Sequence, residues 1–174
     1  MLKHLFRPRP AQVAGRALYP RVVEQSRVPA LYAELGAPDT VEGRFEIYSL
    51  HLLLLLDRFQ AEGQAAAETS QALFDTYVKG LDDALREMGV GDLSVGKKMR
   101  KLGEAIYGRA KSWRAAFEAL PDEAPLKALL RRTVYADAED RSADLAAYVL
   151  RQRAHLAAQP GERLLVGEVD WAAP

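Results

Sequence analysis

Along most of the chain apolar residues recur every three or four positions, the repeat of one face of an α-helix. In QALFDTYVKGLDDALREMG the spacing is held by Leu73, Tyr77, Leu81, Leu85 and Met88. Between 94 and 120 it is held by Val95, Met99, Leu102, Ile106, Trp113, Phe117 and Leu120, with a gap at Ala110. The stretch 45–59 differs, because Phe45, Ile47, Tyr48, Leu50, Leu52 to Leu56 and Phe59 cover almost every face, the pattern of a buried central helix. The same reading predicts helices over 11–25, 29–35, 43–62, 68–88, 94–120, 123–136 and 141–158, with no strand pairs and no internal repeat. Pro29, GAPDT at 36–40 and LPDEAP at 120–125 supply the breaks. The expected fold is all-α, a single-domain bundle of six or seven helices over 19–160, preceded by a basic segment, 1–18, and followed by a short extended tail, 161–174. After the Pro160-Gly161 stop, Leu164, Val166, Val169 and Trp171 suit either a strap on the domain itself or a segment waiting for a partner.

GDLSVGKK at 91–98 is one side chain short of a phosphate-binding loop, with Lys98 standing where that loop needs Ser or Thr. Such a loop needs a strand to deliver its glycines to a helix N-terminus, and here a helical pattern comes before it. A bend between two helices is the expectation. Gly89 serves as C-cap, Val90 folds back on the last turn, and Asp92 or Ser94 caps the next helix.

The 174 residues suffice for one domain with a real core, and 49% of them are hydrophobic, so the chain folds. Twenty-four basic residues balance twenty-four acidic ones, so net charge predicts no polyanionic partner and DNA is not expected as one; any such preference would have to come from local clustering. Cysteine is absent, which excludes disulfides, thiolate metal sites and thiol nucleophiles. The first 23 residues carry Lys3, Arg7, Arg9, Arg16 and Arg21 without an acid, as mitochondrial presequences and basic surface helices do. LLLLL at 52–56 is flanked by His51, Asp57 and Arg58 and is far shorter than the ~20 residues a membrane span requires.

Candidate chemistry is sparse. His4, His51 and His155 lie far apart, without metal-ligand spacing, and His51 reads as a core imidazole with one hydrogen-bond partner. Asp75 with Lys79 and Asp82 with Arg86 have the spacing of surface ion pairs, and no nucleophile has a base beside it, so no catalytic residue, metal or cofactor is assigned. The uneven feature is charge: Lys97, Lys98, Arg100, Lys101, Arg109, Lys111 and Arg114 share the stretch 97–114 of one helix with Glu104 alone. They form either a solvated outer face or a docking surface for phosphates of lipid headgroups or ribosomal RNA.

RVPALY at 27–32, GAPDTVEGRFE at 36–46, LFD at 73–75, DDALREMGVGDLSVGKKMRK at 82–101 and AIYGR at 105–109 resemble the ubiquinol-cytochrome c chaperone family over about three quarters of the chain. The resemblance implies a non-enzymatic helical assembly factor for the respiratory cytochrome b complex. Its partner would be newly made cytochrome b, nascent or apo, with contact to the membrane surface or the ribosome. Leu31 and Ile106 stand where the family pattern suggests phenylalanine, and Thr133 where it suggests asparagine. The matching motifs begin too near the first residue for a long presequence, so a bacterial protein is expected, cytoplasmic and peripheral to the inner membrane. A eukaryotic member would be mitochondrial.

Within these motifs Asp39 and Thr40 fit a turn or helix cap, and Gly43 belongs to the same motif. Gly89 and Gly91 let the chain reverse, Asp92 caps, and Gly108 admits a neighbouring helix. Arg44, Arg86, Lys97, Lys98, Arg100, Lys101 and Arg109 are the candidate partner contacts. The competing function is a basic helical module for RNA or the ribosome. A cryptic carboxylate enzyme would need Asp75 and Asp82 buried together in a cleft.

Overall fold

The structure, a computed structural model, describes residues 9–60 and 62–174. His4, Lys3 and Arg7 of the basic N-terminal segment lie outside the described residues. Among the described residues there are eight helices and no strand: α1 (Pro10–Ser26), α2 (Ala30–Ala33), α3 (Val41–Arg58), α4 (Gln64–Glu87), α5 (Asp92–Glu118), α6 (Ala124–Thr133), α7 (Ser142–Ala157) and α8 (Gly161–Leu165). The all-α bundle predicted from the apolar spacing is the observed one. The added element is α8, where an extended tail was expected. α7 does end at Ala157, ahead of Pro160, but Pro160 also precedes a new helix, its φ of −58° already suiting the first turn.

α3 is buried on nearly every side, from Ile47 through Leu55, and α1, α4, α5 and α7 pack around it. α1 lies along α4 and runs without a break through residue 18, with Ala14, Leu18 and Val22 in the core. Leu31 and Ile106 are both buried, so smaller side chains than phenylalanine fill those sites.

Within this core His51, Gln25, Ser49 and Tyr77 have partners. The His51 Nδ1–H donates to the Ile47 carbonyl at 2.8 Å, and Nε2 accepts from the Tyr148 hydroxyl at 2.7 Å, which itself accepts from Gln25 Nε2 at 2.9 Å. The imidazole therefore has two partners where one was expected, and both fit a neutral ring. Ser49 and Tyr77 share a hydrogen bond of 2.8 Å.

The C-terminal tail is docked on its own domain. The Gln159 amide donates to the Asp170 carbonyl at 2.8 Å and accepts from the Asp170 N–H at 2.9 Å. Gln152 does the same with Ala172, at 2.6 and 3.0 Å. Two side-chain amides thus replace a neighbouring strand for an extended segment whose main chain would otherwise lack partners. Trp171 completes the contact, its ring edge-on to His51 at 5.3 Å.

The start of α3 accounts for GAPDTVEGRFE. Thr40 is the N-cap, its hydroxyl accepting from the Gly43 N–H at 3.1 Å. Asp39 pairs with Arg44 across the turn. Gly43 is required by close approach, because a Cβ there would lie 2.0 Å from the Pro38 carbonyl oxygen, a main-chain atom that cannot swing aside.

Removing the cap with Thr40→Ala should lower stability by about 1 kcal/mol, and Thr40→Ser should restore most of it. Gly43→Ala should cost more, about 1–3 kcal/mol, because it overpacks a fixed backbone. Urea denaturation measures both, and equal stability of Gly43→Ala and wild type would contradict the account. Burial pushes His51 down to about 4, from 6.5 when unfolded. The unfolded chain then binds that proton first, so the contribution is neutral above pH ~6.5 and stability falls as pH drops toward ~4, by on the order of 3 kcal/mol. Denaturation of His51→Gln from pH 7 to 4.5 should show a shallower decline than wild type; parallel curves would contradict it.

Candidate functional site

The segment 82–101 is two helices joined by a bend. α4 ends in a left-handed Gly89, φ +79°, whose N–H donates to the Arg86 carbonyl at 2.9 Å while the Val90 N–H donates to that of Leu85 at 3.0 Å. That pair of bonds is the Schellman closure, and glycine is what allows it. No strand feeds GDLSVGKK, so it is not a phosphate loop. Three details of the sequence reading change. Gly91, not Asp92 or Ser94, is the N-cap of α5, and no side chain caps that end. Asp92 is instead the first helical residue, where its charge suits the helix dipole and meets the Arg86 guanidinium. Gly91 has an ordinary φ of −66°, so Gly89 alone makes the reversal.

Beside this bend, α1, α2, α3 and α4, with Leu102 of α5, leave an open groove of about 540 Å³. Its walls include Tyr19, Tyr48, Leu81, Leu85, Met88 and Leu102, with Val41 at the mouth. Val41 and Met88 are 61% and 54% exposed, so apolar surface is presented to whatever enters. Tyr48 packs against Tyr77 at 4.5 Å and meets Tyr19 edge-on at 6.4 Å. Its hydroxyl is buried without a hydrogen-bond partner. Burial raises the Tyr48 hydroxyl far above the ordinary tyrosine range, so it stays a protonated donor.

The rim carries Arg27, Glu42, Arg44 and Glu46. Arg44 lies 5.6 Å over the Tyr32 ring and is paired with Asp39, whose carboxyl it holds below the usual range mainly through their hydrogen bond. Arg109 grips Glu46 through two bonds of 2.9 and 2.7 Å, half-buried, joining α5 to α3. Its guanidinium pKa is raised chiefly by that hydrogen bond. Arg86 holds Asp82 at 2.7 Å as well as Asp92. Of the seven candidate contact residues, the structure thus gives these three arginines intramolecular partners beside the groove and bend.

Lys97, Lys98, Arg100 and Lys101 are exposed, with no carboxylate partner among the described residues. Lys97, Arg100 and Lys101 lie on the outside of α5, away from Val95 and Ile106, whereas Lys98 lies about 60° from Val95, beside the inner stripe. Sequence reasoning missed two residues on that outer side, Leu93, which is fully exposed, and Tyr107, 79% exposed. Counting about 100° per residue from Val95 would have found them. Gly108 has no atom within 4 Å of an added Cβ and faces solvent, so it admits no neighbouring helix.

The carboxylates do not converge. Asp75 accepts from Gln71 at 2.7 Å, Lys79 pairs with Asp83 and not with Asp75, and Asp82 is matched to Arg86. Among the described residues no cluster of acidic and histidine side chains suits a metal ion, and no helix is long and apolar enough to cross a membrane.

Comparison with known proteins sets these features in a family. Over 164 residues, 92% of this chain, it is 24% identical to ubiquinol-cytochrome-c reductase complex assembly factor 1 of Xenopus laevis and covers 81% of that protein. It is 27% identical to the corresponding assembly factors of Mus musculus and Homo sapiens, and spans only about half of each, 55% and 54%. The crystal structure of the Cbp3 homolog from Brucella abortus matches with a TM-score of 0.85 and 34% identity, over 99% of this chain and 97% of that one. Residues 33–171 match the ubiquinol-cytochrome C chaperone model, and with that much of its length covered the chain belongs to the ubiquinol-cytochrome C chaperone family.

Proposed function

We propose that this protein is a non-enzymatic assembly factor for ubiquinol-cytochrome c reductase, and that it holds newly made cytochrome b in the groove between α1, α2, α3 and α4. One observation carries the reading: an open groove with apolar walls that leaves Val41 61% and Met88 54% exposed. Apolar surface left in water is stabilised when an apolar segment covers it. Related proteins named as assembly factors of the same complex support the client class. An apolar client segment fits the walls, and Arg27 and Arg44 at the rim suit the polar flank that follows such a segment as it leaves a bilayer or ribosome. The work is done at the cytoplasmic surface of the inner membrane, or in mitochondria for a eukaryotic member, and consists of binding and release without chemistry.

The rival is a general RNA or ribosome module, favoured by the unpaired cations of α5. It needs no groove. Charging the groove with Val41→Asp and Ala84→Arg, both exposed positions, should leave the helical content intact and reduce cytochrome b recovered by affinity capture from respiring cells at least tenfold. Undiminished recovery would remove the groove from the function. Absence of cytochrome b from the wild-type capture would remove the client.

A further inference from the structure

The outer face of α5 has a pattern that a solvated helix does not require. Starting from Leu93, residues Lys97, Arg100, Glu104, Tyr107 and Lys111 follow at four, seven, eleven, fourteen and eighteen positions. At about 100° per residue they fall within roughly 40° of one line along the helix. All six are exposed, and Lys101 and Arg114 add exposed cations on the flanks. Against them stands only Glu104 on the line itself. Asp92 already faces Arg86, and none of Lys97, Lys98, Arg100, Lys101, Lys111 or Arg114 meets a carboxylate among the described residues. In a chain of zero net charge this is a local positive field, left unneutralised.

Leu93 and Tyr107 decide what the field is for. They lie ~21 Å apart along the axis and point away from the stripe of Val95, Ile106 and Trp113 that enters the core. An aliphatic side chain fully in water gains nothing on a phosphodiester backbone, and a single tyrosine is no stacking ladder. The core of a protein interface is depleted in lysine, yet lysines form most of this face. A leucine and a tyrosine set among cations are what a helix lying in a headgroup layer presents, the leucine entering the acyl boundary and the tyrosine remaining at the interface.

We propose that α5 docks lengthwise on an anionic lipid bilayer, with Lys97, Arg100 and Lys111 on the phosphates and Leu93 and Tyr107 as shallow anchors. This rests on the surface-association half of the functional reading and is independent of client capture. The same helix turns Leu102 toward the groove, and Leu102 lies nine residues and about 180° from Leu93, so in the docked state α5 stands between the bilayer and the groove.

Co-flotation of the full chain with vesicles tests the proposal. Vesicles containing about one third phosphatidylglycerol should carry the protein, and pure phosphatidylcholine vesicles should not. Lys97→Gln with Arg100→Gln and Lys111→Gln should weaken the partition at least tenfold, since each cation near an anionic surface contributes roughly fivefold. Leu93→Ser with Tyr107→Ser should weaken it about tenfold while leaving salt dependence unchanged. Circular dichroism confirms that the variants fold. The proposal is overturned if wild type does not float, if it floats equally on zwitterionic vesicles, or if the serine pair floats like wild type. It is equally overturned if wild type binds an RNA oligonucleotide with the glutamine variant alone impaired and no vesicle preference. The groove variant Val41→Asp with Ala84→Arg should float normally, so failure here and failure of client binding are read separately.

Discussion

The constraint on which the rest depends is that the centre of α3 offers almost no face to water. From Ile47 to Leu55 every residue but Tyr48 is buried, so the other helices must surround it. Two of its polar residues, Ser49 and His51, have partners inside the bundle, Ser49 with Tyr77 and His51 with Ile47 and Tyr148. A neutral His51 and a bridging Tyr148 tie α3 to α7 and α1, and the docked tail seals this side with Trp171. Tyr48 is different: it lies where the surrounding helices part, and its hydroxyl alone on that helix is buried and unpartnered. The groove is therefore the place where enclosure of the central helix is incomplete.

Under the proposed function, that arrangement resolves a conflict facing any protein that shelters apolar segments. An exposed apolar surface large enough to hold a client invites self-association. Here the apolar area is recessed between helices, and charged side chains stand at the mouth. The rim charges Arg44 and Glu46 are each fixed, by Asp39 and Arg109, so the opening is held by ion pairs that also anchor the start of α3 and the middle of α5. α5 carries both properties of the molecule, a groove-facing and core-facing side and a cationic outer side. The bend at Gly89 sets its direction relative to α4.

The fold was largely legible in the sequence. The three-and-four spacing from Leu73 to Met88, and from Val95 to Phe117, marks helices with one largely apolar face, and the continuous run of α3 marks the centre. Gly89 was legible too, because few residues other than glycine end a helix in the left-handed region. The cap of α5 was misplaced since Asp92 is chemically suited to capping, yet the Schellman turn leaves it one residue inside the helix. α8 was hidden by Pro160-Gly161, which reads equally well as a stop or a start. The groove itself was not legible: Tyr19, Tyr48 and Met88 come from three helices, and whether their side chains close together or part depends on packing no local pattern records. Nor did charge reveal that Arg109 is tied to Glu46, 63 positions away.

The most direct measurement is site-specific photo-crosslinking in respiring cells, with a photoreactive side chain placed at Met88 in the groove or at Asp137 in the α6–α7 connection. The account predicts a crosslink to cytochrome b from position 88 and none from position 137. Equal crosslinking from both positions, or crosslinking from 137 alone, would contradict a groove that holds the client.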